Sequence, residues 1–356
     1  MIRVLITDDS PTMRMVVRSV LESDPELRVV GEACNGKDAF DKCKALDPDI
    51  VTMDIRMPKM NGIDAINLIM AKSPRPIVVL TSTKSDMELG ITFKAVEAGA
   101  LMVIRKPHGL AMDHSLKQNL IGQIKAMARV KVVGRRRKLV DKEPVTPQIR
   151  PDPKRTTGTK RLIAIGASTG GPPALLAILR QLPADLPVPV LVVQHISSGF
   201  VKGLVKWLDN SIAMKVKIAE NAQRLNPGTV YITPDDRHAT VDRYGRVWLI
   251  DSPKVDGHRP SATVLFESVA DNYGTSAIGL LLTGMGKDGA VGLKKLHDAG
   301  GYTVAQDEAT SIVFGMPKEA IKLGGTDEVL PIHAIAGRLM GIMSEEMRIK
   351  NDEFII

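Results

Sequence analysis

The chain has 356 residues, 44% of them apolar and 25% charged, a balance that fits a soluble globular protein and, at about 150 residues per domain, two folded units. Aromatic residues make up only 3%, too few for rows of base-stacking platforms, and Cys34 and Cys43 have no second pair with which to build a disulfide framework or a zinc site. The net charge of +8 is local: between Arg129 and Arg161 twelve Lys and Arg face three acidic residues, so the rest of the chain is near neutral.

The apolar run from Met1 stops at Asp8 and Asp9, short of a signal peptide, and no apolar segment approaches ~18 residues. A cytoplasmic protein without membrane insertion is expected. Ile2 to Thr7, Leu27 to Ala33, Ile50 to Met53, Ile77 to Leu80 and Met102 to Ile104 read as strands separated by amphipathic helices. Ser10-Pro11 marks one helix start, and Ser85 with Glu88 marks another as a capping box. Five such repeats predict a parallel sheet with its ligand site beyond the carboxyl ends of the strands.

Asp8 and Asp9 follow the first strand, Asp54 the third, Thr81 the fourth and Lys106 the fifth. Clustered carboxylates repel unless a hard cation holds them, and Mg²⁺ suits a few carboxylates plus phosphate oxygens. Phosphoryl transfer to Asp54 is the chemistry this set supports, with Thr81 and Lys106 holding the phosphoryl oxygens. With Met53-Asp54-Ile55-Arg56-Met57-Pro58, Gly62 and Lys106-Pro107, residues 1–127 resemble the receiver domain of two-component response regulators. The resemblance implies a flavodoxin-like (βα)5 fold, Mg²⁺ held by Asp9, Asp54 and the Arg56 carbonyl with Asp8 nearby, and a histidine kinase as phosphodonor. Val103 stands where that family frequently has a switch aromatic.

Residues 128–160 contain Gly134-Arg135-Arg136-Arg137-Lys138 and Pro144, Pro147, Pro151 and Pro153, with few apolar residues, and read as a basic linker. A regulator whose basic linker holds nucleic acid is the alternative from another class. The sequence after the linker shows no helix-turn-helix or comparable reading module, so no nucleic acid is expected.

Residues 161–350 resume the alternation, with strands at Leu162 to Ile165, Val188 to Gln194 and Ala277 to Thr283. Val230 to Thr233, Ala239 to Asp242 and Arg246 to Ile250 suggest a small β meander beside an α/β parallel sheet. Gly166-Ala167-Ser168-Thr169-Gly170 satisfies G-x-S-x-G between a strand and a helix from Pro172 to Leu182, which makes Ser168 a candidate nucleophile on a tight turn. A serine needs a base and the base an orienting group. Of seven histidines, His195 follows a strand and so shares the sheet edge with Ser168; His258 in a polar loop is the second choice. Asp288 in Thr283-Gly284-Met285-Gly286-Lys287-Asp288-Gly289 is the candidate orienter, with a helix cap as its other reading, and the Met285 amide is a candidate oxyanion donor. The order Ser, His, Asp differs from the Ser, Asp, His of α/β-hydrolases.

Together with Gln194-His195, His258-Arg259-Pro260-Ser261, Ala305-Gln306-Asp307 and Phe314-Gly315-Met316-Pro317, these motifs resemble the catalytic domain of the chemotaxis protein-glutamate methylesterases. Asn221-Ala222 replaces the Asp-Gly or Glu-Gly pair that this family often has before the Pro-Gly turn. The resemblance implies a triad of Ser168, His195 and Asp288 supported by Thr169 and Met285. It also implies hydrolysis of glutamate γ-methyl esters on methyl-accepting chemoreceptors without a cofactor, and deamidation of receptor glutamines. A different ester is the remaining alternative. A receiver on the same chain suggests gating, in which the unphosphorylated receiver covers the Ser168 cleft and phosphorylation of Asp54 loosens it.

Overall fold

A computed structural model describes residues 1–82, 86–107, 114–130, 132 and 159–353. Two compact units comprise Met1–Pro144 and Val145–Ile356. Most of the expected linker lies outside the described residues, as does Ser85 of the expected capping box.

In the first unit, strands β1 (Ile2–Thr7), β2 (Leu27–Ala33), β3 (Ile50–Met53), β4 (Ile77–Thr81) and β5 (Met102–Arg105) alternate with helices α1 (Pro11–Leu21), α2 (Gly36–Leu46), α3 (Gly62–Lys72), α4 (Asp86–Ala98) and α5 (His114–Ala128). The sheet is parallel in the order β2-β1-β3-β4-β5, as expected for the flavodoxin-like fold. β3 and β4 are buried along their whole length, which explains why they read as unbroken apolar runs rather than alternating ones. Ser10 caps α1 by accepting from the Met13 amide at 3.3 Å, with Pro11 at the first helical position where its missing N–H costs nothing. Chain order reverses at β1, so the crevice between the ends of β1 and β3 is the natural ligand site.

The second unit contains β6 (Leu162–Ala167), α6 (Gly171–Leu179), β7 (Val190–Gln194), α7 (Val201–Asp209), β8 (Lys215–Ile218), β9 (Gln223–Arg224), β10 (Thr229–Ile232), β11 (His238–Val241) and β12 (Arg246–Ile250). There follow α8 (Ala262–Tyr273), β13 (Ala277–Leu281), α9 (Ala290–Asp298), β14 (Tyr302–Gln306), α10 (Met316–Lys322), β15 (Glu328–Leu330) and α11 (Ile332–Glu353). Seven strands form a parallel sheet in the order β15-β14-β13-β6-β7-β10-β8. β6 has β7 on one side and β13 on the other, so the switch point lies at the end of β6, where Ser168 sits.

The expected meander requires correction. The segment around Val230 belongs to the main sheet, paired in parallel with β7 and β8, while the small antiparallel sheet consists of β11, β12 and the two-residue β9. Buried Phe266 of α8 packs in the core with Leu281 of β13 and Leu293 of α9. Truncating Phe266 to Ala would cost about 3–5 kcal/mol. Among the described residues no helix is long and apolar enough to cross a membrane.

Candidate active site

At the receiver crevice the register of β1 and β3 brings Asp8 and Asp54 together. Oxygens of Asp8, Asp9 and Asp54 all lie within 4.8 Å of one another. Lys106 reaches across from the end of β5, its Nζ 2.7 Å from Asp8 Oδ2 and 2.9 Å from Asp54 Oδ2. Asp8, Asp54, Thr81 and Lys106 are buried and Asp9 is exposed. Burial pushes the Asp54 carboxyl upward, Lys106 opposes the shift and Asp8 adds to it. Burial disfavours the charged Lys106, but the two carboxylates outweigh it and raise its pKa. One ammonium cannot balance three carboxylates, so this donor set fits a hard dication. Arg56 lines the adjacent cleft with Asp9, Met57 and Asn61. Gly62 permits the close approach of α3: a Cβ there would stand 2.1 Å from the Asp54 carbonyl oxygen. Val103, at the position of the expected switch aromatic, is buried.

In the second unit, Ala167 pairs with Gln194 across β6 and β7, and the His195 amide donates to the Ala167 carbonyl at 2.9 Å. Ser168 and His195 are therefore the next residues out on adjacent strands. On the other flank, the Ser168 amide donates to the Thr283 carbonyl at 3.0 Å. The Gln194 amide nitrogen donates to the carbonyls of both Ser168 and His195 at 2.8 Å, fixing the two backbones relative to each other. A Cβ at Gly284 would lie 2.7 Å from Ser168 Cβ and 2.2 Å from Met316 Sδ, so only glycine lets the two loops pass this closely.

His195 Nε2 is 2.8 Å from Asp288 Oδ2. Neither ring nitrogen of His195 attains hydrogen-bond geometry within the described residues, so the contact is a close approach whose N–H is not yet aligned. Catalytic hydrogen bonds often tighten only when substrate binds. Asp288 is 1% exposed, and its carboxylate also accepts from Ser261 Oγ at 2.6 Å, the Ala262 amide at 2.7 Å and the Thr263 amide at 3.2 Å. Burial alone would raise its pKa, but His195, Ser261 and the Ala262 amide together hold it well below the usual carboxylate range. Asp288 does act at a helix start, but at that of α8, some 26 residues upstream; Gly289 occupies the cap of α9.

Thr169 and Met285 flank this centre. The Thr169 carbonyl accepts from Thr283 Oγ1 at 2.9 Å, and the Met285 side chain is half exposed. Three groups that sequence reasoning did not single out complete the frame. Thr283 Oγ1 also accepts from the Val313 amide at 2.9 Å, and Gln306 Oε1 accepts from the Thr283 amide at 2.9 Å. Fully buried His238 bridges both ends of the 253–261 loop, with Nε2 3.1 Å from the Pro253 carbonyl and Nδ1 accepting from the Ser261 amide at 3.2 Å. Its only advance signal was a histidine at the start of an apolar strand. His258, the second-choice base, stacks face to face on His195, with centroids 3.9 Å apart and planes within 1°.

These two centres agree with the similarity to known proteins. The family model described as CheB methylesterase matches residues 163–339, and that of the response regulator receiver domain matches residues 4–114. The chain is 42% identical over 347 residues to a protein-glutamate methylesterase/protein-glutamine glutaminase of Nitrosospira multiformis, covering 97% of this chain and 98% of that protein. A protein of Anaeromyxobacter dehalogenans with the same name, numbered 3, is 44% identical over 342 residues, covering 95% and 98% of the two chains. Among solved structures, the Thermotoga maritima CheB methylesterase catalytic domain matches with a TM-score of 0.50 and 39% identity, over 52% of this chain and 100% of that one. With a receiver domain ahead of a CheB methylesterase domain and near full-length similarity to such proteins, the chain belongs to the protein-glutamate methylesterase/protein-glutamine glutaminase family.

Proposed function

We propose that the chain is a phosphorylation-regulated serine hydrolase of chemotaxis that removes methyl groups from glutamate γ-methyl esters of chemoreceptors and deamidates receptor glutamines. The observation that carries the reading is the buried carboxylate of Asp288 against His195, which follows the strand next to the one that precedes Ser168. Because Nε2 faces Asp288, Nδ1 is the nitrogen left to serve the serine. Ser168 Oγ attacks the ester carbonyl while His195 takes its proton, and the Met285 amide donates to the developing oxyanion. The protonated His195 then returns the proton to the departing methoxide, releasing methanol and leaving an acyl group on Ser168. Water, giving its proton to His195, attacks that acyl group and restores Ser168 and a free glutamate carboxylate. With glutamine the leaving group is ammonia. Ionised Asp288 stabilises the imidazolium in each half-reaction, and Thr169 holds the turn behind the nucleophile.

In the receiver, Asp54 is the phosphoacceptor and a chemotaxis histidine kinase the donor. Asp8, Asp9, Asp54 and the Arg56 carbonyl would hold Mg²⁺, which neutralises the incoming phosphoryl charge when bound. Thr81 Oγ1 and Lys106 Nζ hold the phosphoryl oxygens, and the charge on Asp54 raises the rate at Ser168. The domains are assigned to residues 1–127 and 161–350, with 128–160 as the linker.

Methanol release from methylated receptor tests both parts. A small-molecule phosphodonor with Mg²⁺ accelerates release by the full chain and has no effect on Asp54→Asn; equal rates with and without phosphodonor in the wild type would contradict the regulation. Release unaffected by Ser168→Ala would contradict the assigned nucleophile.

A further inference from the structure

The His195 ring is held on its edge by Asp288 and on one face by His258, whose ring lies parallel to it at 3.9 Å. The loop that presents His258 is tied down on every side. The Val255 and His258 backbones exchange hydrogen bonds of 3.1 and 2.9 Å across a turn whose corner residues, Asp256 and Gly257, take left-handed backbone. Arg259 Nε and Nη1 reach Asp236 at 2.8 Å and Asp251 at 2.6 Å, and His238 bridges Pro253 to Ser261. Ser261 in turn donates to Asp288. The face clamp and the edge clamp of His195 are thus parts of one hydrogen-bonded frame.

We propose that His258 is a positioning residue for ester hydrolysis, an aromatic wall that fixes the plane of the His195 ring and faces the imidazolium formed when Ser168 loses its proton. This rests on the reading of Ser168, His195 and Asp288 given above. Without the wall, His195 could tilt about its Asp288 contact, and a displacement near 1 Å costs about 10²-fold in rate. The wall has to be neutral, since two stacked cations would repel. Burial is the main cause that lowers the His258 pKa to about 4, with His195 and Lys254 acting in the same direction and Asp288 and Asp256 opposing. A neutral ring face also attracts a cation, so the stack favours the charged state of His195 during turnover. The nitrogens of His258 take no part in proton transfer.

The test compares His258→Phe, His258→Gln and His258→Ala in the full chain with phosphodonor, measuring kcat and KM for methanol release alongside melting temperature. Phenylalanine keeps the flat face and should hold kcat within about 3-fold, whereas glutamine and alanine should lose about 10- to 100-fold in kcat with KM within about 3-fold. If the alanine variant does not fold, phenylalanine against glutamine remains decisive, because glutamine keeps polar atoms and loses the ring. Phenylalanine as impaired as glutamine, no loss in glutamine, or a loss confined to KM would each overturn the proposal. Ser168→Ala is run in parallel: methanol release that survives it sinks the triad reading, whereas Ser168-dependent release with the wrong ordering at position 258 sinks only this inference.

Discussion

The receiver crevice and the serine cleft both sit where parallel strands end and chain order reverses, yet they treat buried charge in opposite ways. At Asp54 burial dominates, and the carboxyl is pushed up against its neighbour Asp8 with a single lysine in compensation. At Asp288 three hydrogen bonds and a histidine outweigh burial, and the carboxyl is held down. The first site is built to be completed by a cation and a phosphoryl group. At the second, the carboxylate is held by hydrogen bonds from the chain itself. In the function proposed above, the first is a switch that responds to added charge and the second a triad that keeps its own charge fixed, and the two donor sets suit that division.

The largest expected effect breaks the catalytic half: Ser168→Ala should lower the rate of methanol release by about 10⁴-fold or more, read in steady-state assays. Asp288→Ala strikes both catalysis and stability. It leaves Ser261 Oγ and the Ala262 and Thr263 amides without their acceptor, and denaturant unfolding should show a loss of about 3 kcal/mol.

The receiver half should respond in the reverse sense. Because the folded-state pKa of Asp54 is raised, its contribution favours folding at low pH and is lost as pH rises through the folded value. At neutral pH the ionised Asp54 carboxyl therefore costs stability, so Asp54→Asn should raise the melting temperature of the Mg²⁺-free protein. Mg²⁺ at 100 times its Kd should stabilise the wild type by about 2.7 kcal/mol and the variant by less, measured by calorimetry.

His258 gives a smaller, pH-dependent effect. Its pKa falls from 6.5 to about 4 on folding, so the unfolded chain binds the extra proton between those values and stability declines as pH is lowered through that window. His258→Phe should flatten that part of the curve of melting temperature against pH. Smallest of all is Ala222, which takes φ 59°. Ala222→Gly should stabilise by about 0.5–1 kcal/mol in equilibrium unfolding, since the left-handed region strains a Cβ.

The sequence revealed most where function and fold share a local signal. Four of the five receiver strands stop at a chemically distinctive residue, so the runs Ile2 to Thr7 and Ile50 to Met53 yielded both the sheet and the acidic cluster. Ser168 was visible for the same reason. What stayed hidden depends on partners distant in sequence. The segment at Val230 looked like a hairpin arm because glycine and aspartates punctuate it, and nothing local distinguishes an antiparallel neighbour from the parallel partner Val190. β8, β14 and β15 went unassigned. The helix-cap reading of Asp288 had the wrong helix, since the amides it accepts from are those of Ala262 and Thr263 at the start of α8, distant in sequence. The His195–His258 stack and the His238 bridge join residues 15 to 63 positions apart and leave no periodic trace.

The most direct measurement of the central claim is the mass and site of the adduct formed when the full chain is treated with a fluorophosphonate, followed alongside methanol release. One equivalent on Ser168, forming in step with loss of activity and greatly slowed in His195→Ala, is the predicted result. Loss of activity with the adduct on another residue, or full activity with Ser168 modified, would contradict the account.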